Sequence, residues 1–182
     1  MPQTEIDLKP IDFITIGTIG PKGRRVFHLQ AGKDGRLVSF IIEKEQARAL
    51  SEAVREFLDD LDDRYDEKTD IELAAYDMDL REPITPLFRI SQMGLGYEEA
   101  TRMVILIAQE LQLSQDDGDD NTMLGVLPDS PMDDGNDEDE PGVVRMWCTR
   151  EQMLALCLHA SYTVSAGRPS PQQNGRITYY WT

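Results

Sequence analysis

One order of segments, three strand-like stretches followed by a helix-like stretch, occurs twice along this chain. In the first copy, residues 13–20, 25–31 and 36–43 have the composition and near-alternating pattern of strands, and turn-forming residues separate them. The next stretch places apolar residues at i, i+3 and i+4 spacing from Ala47 to Leu61, which predicts an amphipathic helix. Three strands and one helix bury too little apolar surface to be stable alone. The two copies are therefore expected to share one core.

The second copy keeps this order at two different offsets. At its first strand the offset is 76, and Gly20 matches Gly96. At its helix the offset is 106, and residues 44–46 match residues 150–152. The acidic segment at about 112–141 supplies the 30-residue difference. Because the order of segments is kept across this insertion, we interpret the pattern as an internal duplication.

The repeats predict an α+β fold, in which two divergent β-β-β-α units form a mainly antiparallel, shared sheet with two principal helices. The length of 182 residues fits a single domain covering residues 1–182. The predicted divisions are repeat one at about 11–62, a linker at about 63–85, repeat two at about 86–167 with the acidic insertion at about 112–141, and a C-terminal tail at 168–182.

The charge of the chain restricts its partners. It has 34 acidic and 18 basic residues, a formal net charge of -16, which repels phosphate backbones and anionic membranes. Nucleic acid is therefore disfavoured as a partner, and no apolar run is long enough to span a bilayer. The N-terminus lacks the features of a secretion signal, so we expect a cytoplasmic protein. In that compartment Cys148 and Cys157 are thiols, which we interpret as buried packing residues.

The acidic insertion is expected to be disordered, because it combines many carboxylates with little apolar mass. Its aspartate runs partly resemble calcium-binding loops, since Ca²⁺ prefers carboxylate oxygens. The full spacing of such a loop is absent. A solvated linker and a weak cation site both remain as interpretations.

No catalytic constellation stands out in the sequence. The chain has two histidines, His28 and His159, which excludes a His-rich metal site. Cys157 and His159 lie two positions apart on a predicted helix and point to different sides. We therefore predict no metal, no cofactor and no catalytic residue. The first functional hypothesis is a non-catalytic interaction module with an unknown protein partner.

The second hypothesis is an enzyme or small-anion binder with its site between the repeats. Glycine-rich turns, predicted at residues 17–21 and 94–96, allow a backbone to approach a phosphate, although hairpins need glycine for conformational reasons alone. Arginines that converge near such turns would bind an anion through charge-assisted hydrogen bonds, whereas scattered surface arginines would not. The candidate ligand-binding residues are Gly20, Arg24, Arg89, Gly94, Gly96 and Arg168.

A third hypothesis, single-stranded nucleic-acid binding, rests on fold analogy alone. It requires aromatic side chains beside cations, for which Tyr179, Tyr180 and Trp181 next to Arg176 are the candidates. These residues could also form an edge strand of the sheet, or a free tail with exposed aromatics.

Four motifs, at residues 17–31, 43–46, 93–96 and 165–169, resemble a bacterial family known as domain of unknown function 3090. The resemblance extends through nearly the whole chain and implies no particular function. Many members continue past the Ala-Gly-Arg-Pro motif into a cysteine-rich tail similar to a zinc knuckle. Here the tail contains no cysteine, so the resemblance implies no zinc site.

Overall fold

A computed structural model describes residues 4–112 and 140–166 of the protein. The seven strands are β1 Glu5–Leu8, β2 Phe13–Ile19, β3 Val26–Lys33, β4 Arg36–Ile42, β5 Pro86–Glu98, β6 Met103–Glu110 and β7 Val143–Cys148. The helices are α1 Lys44–Tyr65, α2 Arg150–Ser165 and a short 3-10 helix Leu73–Ala75. The predicted α+β class is confirmed. None of the helices in the described residues is long and apolar enough to cross a membrane.

The strands form one sheet in the order β1-β7-β6-β5-β4-β3-β2. Four neighbouring pairs are antiparallel, while β4 with β5 and β1 with β7 are parallel. The two edge strands, β1 and β2, follow each other in the chain. Between them, Ile11 donates a backbone hydrogen bond of 3.0 Å to Trp147 O in β7, and Asp12 donates one of 2.7 Å to Gly32 O in β3. The sheet is therefore bent round so that its two edges approach each other.

Strand β1 was not predicted from the sequence, because its acidic residues lie outside the expected repeat. It alternates two acidic residues, Glu5 and Asp7, with apolar residues. Arg145 on the neighbouring strand β7 contacts both carboxylates, Asp7 at 3.0 Å and Glu5 at 3.1 Å. The pairing with Arg145 neutralises the outer face of β1 while the apolar residues turn toward the core.

Both helices begin as the matched residues 44–46 and 150–152 predict. Gln46 Oε1 accepts a 2.8 Å hydrogen bond from the backbone N–H of Glu43, and Gln152 Oε1 accepts one of 2.8 Å from Thr149. These side chains satisfy backbone donors that the first helical turn leaves without partners. The same residue type at the third helical position therefore starts each helix directly after a strand.

The core lies between one face of the sheet and the two helices. The helices pack closely against each other, and Cys157 Sγ on α2 donates to Ser51 O on α1 at 3.1 Å. Helix α2 is buried on most of its sides, whereas α1 buries one stripe. Cys148 and Cys157 are both free and buried, which confirms their prediction as packing residues.

The segment between α1 and β5, residues 66–85, covers the face of β2 and β3 that points away from the core. Thr15 Oγ1 donates to Met78 O at 2.6 Å. Gln30 donates to Arg81 O at 2.8 Å and accepts from Arg81 N at 2.7 Å. These bonds satisfy polar side chains that are fully buried in the sheet. The predicted linker thus forms one layer of the fold.

The strand register relates the two halves. Phe27 pairs with Ile42, two residues before α1, and Val104 pairs with Cys148, two residues before α2. Further residues occupy corresponding positions in the two halves. These pairs are Lys44 and Arg150, Gln46 and Gln152, Arg25 and Arg102, Thr15 and Gly94, Ile16 and Leu95, Gly17 and Gly96, and Thr18 and Tyr97. An evolutionary duplication remains a prediction.

The register corrects one sequence match. Gly20 lies in the turn after β2 with a φ of 112°, whereas Gly94 and Gly96 lie inside β5. The predicted turn at Gly94–Gly96 is therefore wrong. Strand β5 is 13 residues long because its first part pairs with β4 and its second part pairs with β6.

Two further predictions concern residues outside the described ones. The predicted disorder of the acidic insertion at about 112–141 falls almost wholly on residues 113–139, and the tail at 168–182 lies beyond Ala166. The repeat boundaries also remain predictions.

Candidate functional site

A small pocket with three cationic side chains lies where the β2–β3 turn, the start of α1 and the end of α2 meet. Its volume is about 140 Å³. We call it the basic pocket, and it is lined by Thr18, Lys22, Gly23, Arg25, Phe27, Lys44 and Thr163.

Local chain geometry places these cations together. After β2 the chain turns through Gly20 and Gly23, whose φ angles of 112° and 90° are strained for other residues. Arg24 N donates to Pro21 O at 2.9 Å and closes the turn. Lys22 lies within this turn and Arg25 directly follows it. Lys44 arrives from another direction, since it is the first residue of α1, directly beyond β4.

The cations of the basic pocket have no ion-pair partner among the described residues. Lys22, Arg25 and Lys44 form neither a salt bridge nor a side-chain hydrogen bond there. Lys22 and Arg25 are exposed and Lys44 is half-buried. Three positive charges in one pocket repel one another unless an anion compensates them.

The corresponding cations of the second half are neutralised within the chain. Arg102 binds the carboxylate of Glu67, and this hydrogen bond holds the pKa of Glu67 below its usual value. Arg150 Nη1 lies 3.6 Å from both Glu67 and Asp62. In the second half, carboxylates of the same chain therefore lie beside the cations. No acidic residue lines the basic pocket.

The difference between the two halves originates in the helix ends. Helix α1 ends in an acidic stretch, and Asp62 from its last turn reaches Arg150. Helix α2 ends with residues 159–166, which contain no acidic side chain. Thr163 of that segment lines the basic pocket instead.

The predicted ligand-binding residues lie in two separate places. Gly20 and Arg24 belong to the turn that forms the basic pocket. Arg89 on β5 is paired with Glu43, and Gly94 and Gly96 follow it on the same strand. Strands β3 and β4 separate β2 from β5, a distance of about 14 Å at ~4.8 Å per strand.

Arg168 lies outside the described residues, two positions beyond Ala166 at the end of α2. The residues that sequence reasoning did not select are Lys22, Arg25, Lys44 and Thr163. Their pattern offered one usable signal, which is that the chain from Lys22 to Arg25 is cationic and contains no acid. The positions of Lys44 and Thr163 depend on tertiary packing.

A second concave surface lies between α1 and the second part of β5. We call it the α1–β5 groove, and its volume is about 640 Å³. Its lining is largely apolar with an acidic rim. The lining residues are Gln46, Ala49, Leu50, Ala53, Glu56, Phe57, Asp60, Ser91, Gln92, Met93, Gly94 and Leu95.

The titratable groups of the described residues include no metal-binding cluster and no exposed thiol. Among the described residues, no three His, Cys, Asp or Glu side chains are grouped to hold a metal ion. Burial raises the pKa of the Cys148 and Cys157 thiols, which disfavours the nucleophilic thiolate. His28 Nδ1 is 3.1 Å from the backbone oxygen of Val26.

The fold and the basic pocket together define an α+β protein with a cationic pocket, in which no acidic residue of the described part of the chain pairs with Lys22, Arg25 or Lys44. A family model described as Protein of unknown function (DUF3090) matches residues 6–175. The chain belongs to this family. No curated protein and no solved structure matches it.

Proposed function

We propose that the protein is a non-catalytic binding module whose basic pocket holds a small anion of the phosphate or sulfate class. The observation that carries the proposal is the contrast between the two halves. Arg102 and Arg150 are neutralised by Glu67 and Asp62, whereas their counterparts Arg25 and Lys44 have no acidic partner among the described residues. A bound anion would supply the missing charge.

The pocket has the donors that such an anion requires. Lys22, Arg25 and Lys44 provide charge-assisted hydrogen bonds, which are stronger than neutral ones. The hydroxyl group of Thr18 adds a neutral donor, whereas Thr163 Oγ1 already donates to His159 O at 2.8 Å. Lys44 is also the first residue of a 22-residue helix, whose N-terminal dipole favours negative charge.

The location of the pocket agrees with the resemblance to the family. Two of the four motifs that carry it line the pocket, and a third begins beside it. Residues 17–31 and 43–46 supply six of the lining residues, and the motif at 165–169 begins two residues after Thr163. A binding site at this junction would explain why these separate segments are the recognisable ones.

The cellular location forms part of the same proposal. We infer a cytosolic protein, since its two free thiols are compatible with a reducing compartment. A small anion fits the pocket better than a nucleic acid, because the cations occupy one small cavity on a chain of net charge -16.

The proposal is tested by isothermal titration of the full chain with inorganic phosphate, sulfate and pyrophosphate at low ionic strength. Arg25→Ala and Lys44→Ala should each weaken binding at least tenfold, since a hydrogen bond to a charged group contributes about 1.5–3 kcal/mol. Arg36→Ala is the matched control, because Arg36 is exposed and lies outside the pocket. Wild-type protein that binds none of the three anions, or equal affinity in all four proteins, would overturn the proposal.

A further inference from the structure

The segment that follows α1 fills the seam between α2 and β2. Residues 75–78 lie there against residues 12–14, at the start of β2, and against Gln152 and Ala155 of α2. They leave a remaining cavity of about 180 Å³. The segment after the first helix thus covers the junction of the second helix with the first half.

The corresponding seam between α1 and β5 is the open α1–β5 groove. Residues 91–93 occupy the positions of residues 12–14, and Gln46 and Ala49 occupy those of Gln152 and Ala155. Within residues 4–112 and 140–166, no segment covers this seam as residues 75–78 cover the other. The volume of about 640 Å³ exceeds that of the filled seam.

Two glycines show the same difference beyond the seam. Leu80 lies over Gly17, where an added Cβ would be 2.6 Å from Leu80 Cγ. Its counterpart Gly96 faces open space, and the nearest atom to an added Cβ is Ile105 Cβ at 4.0 Å. Leu80 therefore fills the space over Gly17, whereas no described residue fills the corresponding space over Gly96.

The chain that follows α2 starts beside this groove. Thr163 and Lys44 line the same pocket, and Gln46 is the first residue that lines the groove. Leu80 lies 15 residues beyond Tyr65, the last residue of α1, and Tyr180 lies 15 residues beyond Ser165, the last residue of α2. The length of chain available matches the length that covers the other seam.

The composition of that chain complements the groove. Residues 167–182 contain two arginines, three aromatic residues and no acidic residue. The groove has the carboxylates of Glu56 and Asp60 at its rim, the second of which also binds Arg64 at 2.8 Å, and an apolar lining that includes Phe57. Both the charges and the apolar surfaces are therefore matched.

We propose that residues 167–182 bind the α1–β5 groove of the same chain, as residues 66–85 cover the α2–β2 seam, and place an aromatic side chain over Gly96. This intramolecular contact is independent of anion binding in the basic pocket. It assigns the C-terminal segment a structural role in the second half of the fold.

A designed disulfide tests the proposal. Thr15 contacts Met78, which lies 13 residues beyond α1, so the counterpart pair is Gly94 and Thr178. The double variant Gly94→Cys with Thr178→Cys should form an intramolecular disulfide under mild oxidation, detected by mass spectrometry of the monomer. The native thiols are buried and do not compete.

The matched control pairs Thr178→Cys with Arg36→Cys. Arg36 is exposed and lies about 33 Å along the strands from Gly94, at ~3.3 Å per residue. The proposal predicts at least tenfold faster cross-linking for the Gly94 pair. Equal rates in the two pairs, or cross-linked dimers alone, would overturn it.

A second measurement does not depend on added cysteines. Trypsin should cut slowly after Arg176 in the wild-type chain, and Ala53→Trp should accelerate that cut severalfold by filling the groove. Glu52→Trp is the control, because Glu52 is exposed on α1 and does not line the groove. Unchanged cleavage in Ala53→Trp would contradict the proposal.

Discussion

Arg150 Nη2 donates a 3.1 Å hydrogen bond to the hydroxyl oxygen of Tyr97, which joins the first turn of α2 to the end of β5. The guanidinium also lies 5.3 Å from the centre of the Tyr65 ring and 3.6 Å from the carboxylates of Asp62 and Glu67. With its side chain 8% exposed, Arg150 connects both helices and the sheet within the core.

Replacing Arg150 by methionine should destabilise the protein by about 1.5–3 kcal/mol, because the change removes a charge-assisted hydrogen bond to Tyr97 and the buried cation beside Asp62. Urea denaturation followed by circular dichroism measures this loss. Arg145→Met is the control, since Arg145 forms two pairs at the surface, where each contributes at most about 1 kcal/mol. Equal losses in the two variants would contradict the assignment of Arg150 as a core residue.

Gly17→Ala should destabilise the protein by about 1–3 kcal/mol, since the new methyl group would overlap Leu80 and overpack the segment above β2. The same substitution at Gly94 is the control, because an added Cβ there meets no heavy atom within 4 Å. We expect Gly94→Ala to remain within about 0.5 kcal/mol of the wild type, because the new methyl group displaces no packed side chain. Thermal unfolding compares the three proteins, and a Gly17→Ala protein as stable as wild type would show that residues 66–85 do not cover β2.

Both cysteines should react slowly with a thiol reagent in the folded protein. Burial shields Cys148 and Cys157 and raises their pKa, so little thiolate is available at neutral pH. Absorbance after addition of an aromatic disulfide reagent should report fewer than half a thiol per chain until denaturant is added, and then about two. Rapid reaction of either thiol in native protein would contradict the packing described for α2 and β7.

His159 should reduce stability at acid pH. Burial lowers its pKa, with smaller opposing contributions from the backbone of Ile16 and from Asp79. Below the unfolded value of about 6.5 the unfolded chain takes up a proton that the folded chain resists, so stability falls as pH decreases through that range. Above pH about 6.5 His159 is neutral in both states and does not change the stability.

The variant His159→Gln should therefore lose less stability than wild type between about pH 7 and pH 5. Urea midpoints at several pH values measure the two slopes. Parallel curves for wild type and variant would show that His159 is as easily protonated in the folded state as in the unfolded one.

The sequence was sufficient where local rules decide the structure. Gln46 and Gln152 mark the helix starts because each caps its own helix, and the apolar spacing from Ala47 to Leu61 identifies the buried stripe of α1. The apolar run at residues 103–108 forms β6 inside the sheet. Burial there alternates, with Ile105 and Ile107 half-buried on the outer face.

Tertiary contacts decided the rest. Glu5 and Asp7 form a strand because Arg145, 138 residues after Asp7, compensates their charge. Thr15 and Gln30 are buried because residues 66–85 pass over them, which no local pattern reports. The basic pocket joins Lys22, Lys44 and Thr163 from three elements, so its cations were visible in the sequence as charges but not as neighbours.

The most direct test adds a carboxylate to the basic pocket, whose lining contains no acidic residue. Thr163→Glu would place an acidic group among Lys22, Arg25 and Lys44, as Glu67 lies beside Arg102 in the other half. Ser161→Glu adds the same charge to the same helix at an exposed position that does not line the pocket. Isothermal titration with inorganic phosphate should show binding to wild type and Ser161→Glu, and at least a tenfold loss in Thr163→Glu. Phosphate binding of equal strength to all three proteins would show that the anion binds elsewhere and would contradict the proposed function.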